Sequence, residues 1–290
     1  MLSYLLAVIA AFANATSSVL QRKANREVPS KQNLSWRLIW SLLHQPIWFG
    51  GILAICIGFL LQATALGFGQ LATVEPILVL ELPLTLILAS RIFGQGLHWR
   101  EWGSAAVMTL SLGALLFLLS PSAGRNGHVH WYGWVFGISV NLALVGVLVL
   151  LGRRKSARGS GSAYRAALLG VAAGSAFGLT AALMKGMTKT FSQGIVTLFT
   201  SWEIYGMVAA GLLGMFLVQS ALNAGGLIAA QPGLTLADPV ISVLWGVFAF
   251  HETVRGGWYV LPEIAAAAVM AAAVLTLARS PLLADAAKET

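Results

Sequence analysis

Charge is what this sequence has least of. Ten acidic and 18 basic side chains amount to 10% of 290 residues, against 58% hydrophobic ones and a mean hydropathy of +0.80. A soluble domain of this length would carry about a quarter charged residues, so the chain lacks the polar surface that would keep it dissolved. It reads as an integral membrane protein. Cysteine is nearly absent too. The single Cys56 excludes an internal disulfide and any zinc spacing, and its place in ICIGFLL suggests a small buried hydrophobe. No Walker A, HExxH, GxSxG or post-strand GxGxxG pattern occurs, and no polar segment is large enough to hold a nucleotide. Neither an enzyme nor an ATP-driven pump is expected, and no cofactor. The basic excess forms no stripe interleaved with aromatics, which points to a membrane surface rather than nucleic acid.

What is present are long apolar runs. A helix needs about 20 apolar residues to cross a bilayer, and nine windows satisfy this: 2–20, 47–68, 73–93, 101–119, 131–152, 164–185, 198–221, 227–250 and 258–279. They lack the period-2 alternation of a membrane barrel. The first window has no basic segment before it and is long enough to span, so a cleavable signal peptide is not expected. Fourteen basic residues fall between the spans on one face, whereas Arg125, Lys185, Lys189 and Arg255 fall on the other. By the positive-inside rule the N-terminus then lies outside and the C-terminus in the cytoplasm of a multi-pass protein of the cytoplasmic membrane. RRKSARGSGSAYR (153–165) reads as a flexible cytoplasmic loop, and the tail after Pro281 is too short for a domain.

Two stretches repeat. EPILVLELP (75–83) aligns without gaps on QPGLTLADP (231–239), pairing Pro76 with Pro232 and Pro83 with Pro239; the same register pairs Trp102 with Trp258. LLAVIAAFANATSSVLQRK (5–23) resembles LLGVAAGSAFGLTAALMKG (168–186). The expected organisation is all-α: a first four-helix repeat (spans 1–4, residues 1–125), a connecting span 5 with its loop (126–163), and a second repeat (spans 6–9, 164–290). A displacement of five spans turns the second unit upside down, the architecture of many secondary transporters whose site lies at midplane between the halves.

The carboxylates give that site its candidates. Glu81 and Asp238 fall near the centres of spans 3 and 8, each just before a proline. An ionised carboxylate there costs about 2.5–3.5 kcal/mol on insertion scales, so both should face an interior cavity. Pro76, Pro83, Pro232 and Pro239 remove backbone donors and are expected to open their helices locally. Glu75 lies nearer the outer end and could line an entry path. Asn14 and Ser17 share a face with Gln21 in span 1, and Gln62 adds an amide in span 2; Asn141 is a comparable case. The alternative for all of these is hydrogen bonding between helices. Glu203 and Glu263 read as interfacial, and Gly170, Gly174 and Gly178 as a close-packing face. His128 and His130 are two residues apart with no third ligand nearby.

These features resemble the drug/metabolite transporter superfamily. ADPVISVLWGVFAFHETV (237–254) is similar to its EamA-type signature and puts Glu252 at the family's glutamate position, while LPLTLILASRIFGQGL (82–97) offers Gln95 there instead. LLHQPIWFGGILAICIGFLLQATALGFGQLATVEPI (42–77) resembles the NIPA-type magnesium transporters, whose entry motif His44-Gln45-Pro46-Ile47-Trp48 matches in part. The resemblance implies transport of a small metabolite or a divalent cation by alternating access, with Glu75, Glu81 and Asp238 as the oxygen ligands if magnesium is carried. Proton coupling through these acids and a homodimeric assembly are compatible with it. A membrane interaction protein without transport activity is the competing class.

Overall fold

The computed structural model describes residues 2–26, 46–94, 96, 98–122, 129–156, 162–191, 194–225 and 227–278. The described chain is helical: α1 Leu2–Arg26, α2 Pro46–Phe68, α3 Leu71–Leu78, α4 Glu81–Phe93, α5 Trp99–Leu119, α6 Trp131–Ser156, α7 Ser162–Phe191, α8 Ile195–Thr200, α9 Trp202–Gly225, α10 Leu227–Phe248 and α11 Val260–Ala278. Among the described residues, eight segments are long and apolar enough to cross a membrane, Leu71–Phe93 counting as one. The 22-residue α10, which carries Gln231, Pro232, Asp238 and Pro239, is not among these eight. Among the described residues no strand forms; an isolated bridge joins Ser122 to Thr253.

The distribution of side chains is that of a protein solvated by lipid. Large apolar groups face outward, among them Leu5, Phe12, Leu53, Leu60, Phe136 and Phe216, while Ala7, Ala11, Ala15, Ser175 and Ser242 are buried. Trp99, Trp131, Trp258 and Tyr259 are exposed at helix starts, where amphipathic rings suit the interface. Cys56 belongs to the outward set: the expected buried position is wrong, because it lies on the face of α2 turned away from the bundle.

Helix ends follow local chemistry. Pro46 occupies the first position of α2, where its missing N–H costs nothing. Gly94 closes α4 in the left-handed region at φ 67°. The Glu101 carboxylate accepts the His98 N–H at 2.8 Å at the start of α5.

The two proline-marked spans differ from one another. Span 3 breaks at Val79–Leu80, between α3 and α4, and the chain continues through short bonds from Leu80 N–H to Ile77 O (3.0 Å) and Leu82 N–H to Val79 O (3.2 Å). The break sits four residues before Pro83, as the loss of its N–H dictates. Pro76 lies inside α3 without breaking it and, equally contrary to expectation, Pro232 and Pro239 do not act as helix breaks. The helix α10 is continuous through both, because one lost backbone bond each is tolerated where a neighbouring helix holds the segment. The expected loop 153–165 is also shorter than read: α6 runs to Ser156 and α7 starts at Ser162, with 157–161 outside the described residues.

What holds α10 is α7. A Cβ on Gly170 would meet the backbone of Ala230, one on Gly174 the carbonyl of Leu234, and one on Gly178 the side chain of Ile241 and the carbonyl of Asp238. Glycine at these three positions lets the two backbones touch, as the four-residue spacing implied. Elsewhere α7 packs on α9 and α6, α1 on α2 and on both pieces of span 3, and α5 on α11.

A Gly174→Ala change would place its methyl 2.5 Å from the Leu234 carbonyl oxygen. It is expected to cost about 1–3 kcal/mol through overpacking, read as a lowered midpoint of thermal unfolding in detergent. Gly146→Ala on α6 meets nothing within 4 Å and is expected to leave the midpoint unchanged or raise it. Equal effects would refute the close-approach account.

Candidate functional site

A cavity of about 330 Å³ lies between α1, α2, the two pieces of span 3, α7 and α10. Asn14, Gln62, Glu75, Glu81 and Asp238, all nominated from the sequence, line it together. Ser17 does not. Its hydroxyl donates to Gly51 O at 2.7 Å and accepts from Gln21 Nε2 at 2.9 Å, tying α1 to α2. One residue further on, Ser18 points the other way, lines the cavity and donates to Glu81 Oε1 at 3.4 Å.

Each acid has a polar partner. Gln62 Nε2 donates to Glu75 Oε1 at 2.9 Å, and Ser242 Oγ lies 3.5 Å from Asp238 Oδ1. Glu75 is almost wholly buried, at 3% exposure, within the cavity rather than on an entry path. Among the described residues, no lysine, arginine or histidine lines the cavity. Three carboxyl groups thus face a shared space in which the polar groups of the described wall are hydroxyls and amides, an arrangement that is costly if all three are ionised and no cation is present. The remaining wall is mixed: Leu78, Val79, Leu82, Phe177 and Leu234 are apolar, while Thr85, Gln231 and Thr235 add polar groups that were not singled out from the sequence. The signal for Gln231 was available, since it stands in the repeat register of Glu75.

Pro239 lines the cavity and Pro83 is buried beside it; Pro76 and Pro232 lie inside α3 and α10. Asn141 donates from Nδ2 to Ser175 O at 3.3 Å, joining α6 to α7. Glu203 and Glu263 are both half-buried. His128 and Gln95 lie outside the described residues. Among the described residues, no group of three His, Cys, Asp or Glu side chains is placed to hold a metal ion.

Away from the cavity, at the end of the bundle where α2 passes into α3, the buried Glu252 and the half-buried Lys185 form an ion pair at 2.9 Å. Glu252 was nominated only by resemblance, and Lys185 was read as a loop charge.

No family model matches the chain, and no solved structure matches it. Over 257 residues, 87% of each chain, it is 32% identical to an uncharacterized protein of Corynebacterium glutamicum. The chain belongs to that protein's family.

If the Gln62–Glu75 bond links α2 to α3 as the geometry indicates, Gln62→Leu and Glu75→Leu should each lower stability. The double variant should lose less than the sum, with a coupling of about 1 kcal/mol or more. Thermal unfolding of the four proteins in detergent measures this, and strict additivity would exclude the bond.

Proposed function

We propose that this protein is a secondary membrane transporter of a small, positively charged solute, working by alternating access between two inverted halves, α1–α5 and α7–α11. The observation that carries the reading is the cavity wall. In the repeat register Glu75 corresponds to Gln231, Leu78 to Leu234, Val79 to Thr235, Leu82 to Asp238 and Asn14 to Phe177, and all ten of these residues line the same cavity. Related positions of two halves converging on one space is the arrangement of a transport site between repeats.

Packing supports the same reading. In the first half α1 contacts α2 and span 3; in the second, α7 contacts α9 and α10. The cross pairs, α3 with α10 and α5 with α11, join elements that are one another's counterparts. The N-terminus of α3 lies beside the residues that follow the C-terminus of α10, so these related segments run in opposite directions. The small-residue face recurs as well: Ala7, Ala11 and Ala15, each fully buried, stand in register with Gly170, Gly174 and Gly178. Membership of the drug/metabolite transporter superfamily, in a cytoplasmic membrane with the N-terminus outside, is part of the proposal.

Charge selects the solute class. A cavity with three carboxyl groups and, among the described residues, no basic one in its wall would repel anions and accept a cation or exchanged protons. The apolar remainder of the wall favours an organic cation that touches Phe177 and the leucines. Magnesium is the second reading, favoured by the oxygen-rich half of the wall; it would pass with much of its water retained, since no three-residue ligand group is formed among the described residues.

Uptake into proteoliposomes of an amine panel, the basic amino acids and magnesium, with and without a pH gradient, tests this. Asp238→Asn and Glu81→Gln are each expected to cut flux of the carried solute by tenfold or more, in vesicles holding equal amounts of folded protein. Full pH-dependent flux in the double variant would rule out coupling through these acids. A wild-type protein that moves none of the panel would favour the non-transporting interaction class.

A further inference from the structure

The geometry points to Glu252 and Lys185 as a polar latch that holds one end of the cavity shut and must part when that end opens, an inference that rests on the alternating-access reading. The Glu252 carboxylate takes the first two amides of α3: Leu71 N–H donates to Oε1 at 2.7 Å and Ala72 N–H to Oε2 at 2.9 Å. Lys185 Nζ lies 2.9 Å from Oε1 and donates to Gly69 O at 2.6 Å. These four contacts join the start of span 3, in the first half, to α7 and the segment after α10, in the second.

The chain is shaped to deliver Glu252 there. After α10 it turns back through Phe250 N–H to Trp245 O (3.1 Å) and Glu252 N–H to Gly246 O (2.9 Å), with His251 in the left-handed region at φ 54°. A Cβ at Gly246 would collide with the Glu252 carboxylate. Beyond it, Thr253 pairs with Ser122, and Arg255 N–H donates to Leu119 O at 3.0 Å, so Glu252 is anchored to the end of α5. The side that can withdraw is the α3 N-terminus, which is joined to α4 by the break at Val79–Leu80.

The chemistry suits a catch rather than a permanent brace. Glu252 is buried, its side chain only 2% exposed, and Lys185 is half-buried beside it, at 15%. Closed, the carboxylate is satisfied by one ammonium and two amides at a helix N-terminus, where negative charge is favoured. Partly parted, each group would lose partners inside a low-dielectric wall, so intermediate geometries are costly and the element has two defined states. Glu75, which faces the cavity, lies one turn along α3 from Leu71, so any movement of α3 is felt at the binding wall. Trp134, packed on Trp245 at 5.3 Å and Phe250 at 5.9 Å, fills the space beside the latch with aromatic rings.

Directional labelling tests this. Cys56→Ser removes the one native thiol, and Leu78→Cys places a reporter in the cavity wall. A membrane-impermeant, positively charged thiol reagent is then applied to vesicles of either orientation. Glu252→Gln is expected to raise labelling from the latch side about tenfold or more and to lower it from the opposite side; Lys185→Met, which leaves the helix amides capped, should shift both rates the same way by less. Unchanged labelling from the latch side in both variants, or a rise from both sides at once, would overturn the latch. A reciprocal shift in a protein that moves no solute keeps the latch and sinks transport, whereas solute flux without the shift does the reverse.

Discussion

Contact between the backbones of α7 and α10 is the constraint from which the interior follows. Lipid offers no hydrogen bonds, so a carboxyl such as Asp238 has to be carried inside, and α10 reaches that position only because Gly170, Gly174 and Gly178 present no side chains to it. With α10 drawn in, Gln231, Thr235 and Asp238 come to the same wall as Asn14, Ser18 and the acids of span 3. The apolar side chains displaced from this small-residue interior lie on the outside, where the bilayer solvates them. One packing device thus accounts for both the polar centre and the greasy periphery.

The cavity acquires its electrostatic character from what it leaves out. Each acid has a hydroxyl or amide neighbour, yet the lysine nearest in purpose, Lys185, is committed to Glu252. Among the described residues, Lys185 sits at the end of the bundle and no basic side chain lines the cavity. This separation is what favours a cationic guest in the proposed function.

The spans were legible in the sequence because apolar length is a one-dimensional property, and the acids because charge inside such a run has few tolerable positions. Rotation about a helix axis was less so. Ser17 and Ser18 differ by 100° of azimuth, and without the neighbouring helix the sequence could not say which of them faced Glu81 and which faced Gly51. The latch was hidden for another reason: Glu252 caps a helix that starts 181 residues earlier, so its partner amides and Lys185 each read locally as something ordinary. Proline misled in α10 and at Pro76, where tertiary contact overrode a rule that did hold at Pro83 in span 3. The positions of Phe177 and Gln231 were within reach, since the internal repeat maps both onto nominated residues.

A bundle of two identical, mirror-opposed units would be equally stable in either posture, since exchanging the units exchanges the postures. Under the proposed function the chain departs from that balance in one place that bears on bending, because span 3 is jointed at Val79–Leu80 while α10, which aligns with it in sequence, is a single rod. If the protein is the proposed transporter, bending would be cheap in one unit and dear in the other, and the empty protein would have a preferred resting posture. A solute would meet a ready site from one side of the membrane and a scarcely populated one from the other, giving unequal half-saturation concentrations at the two faces even without any driving gradient.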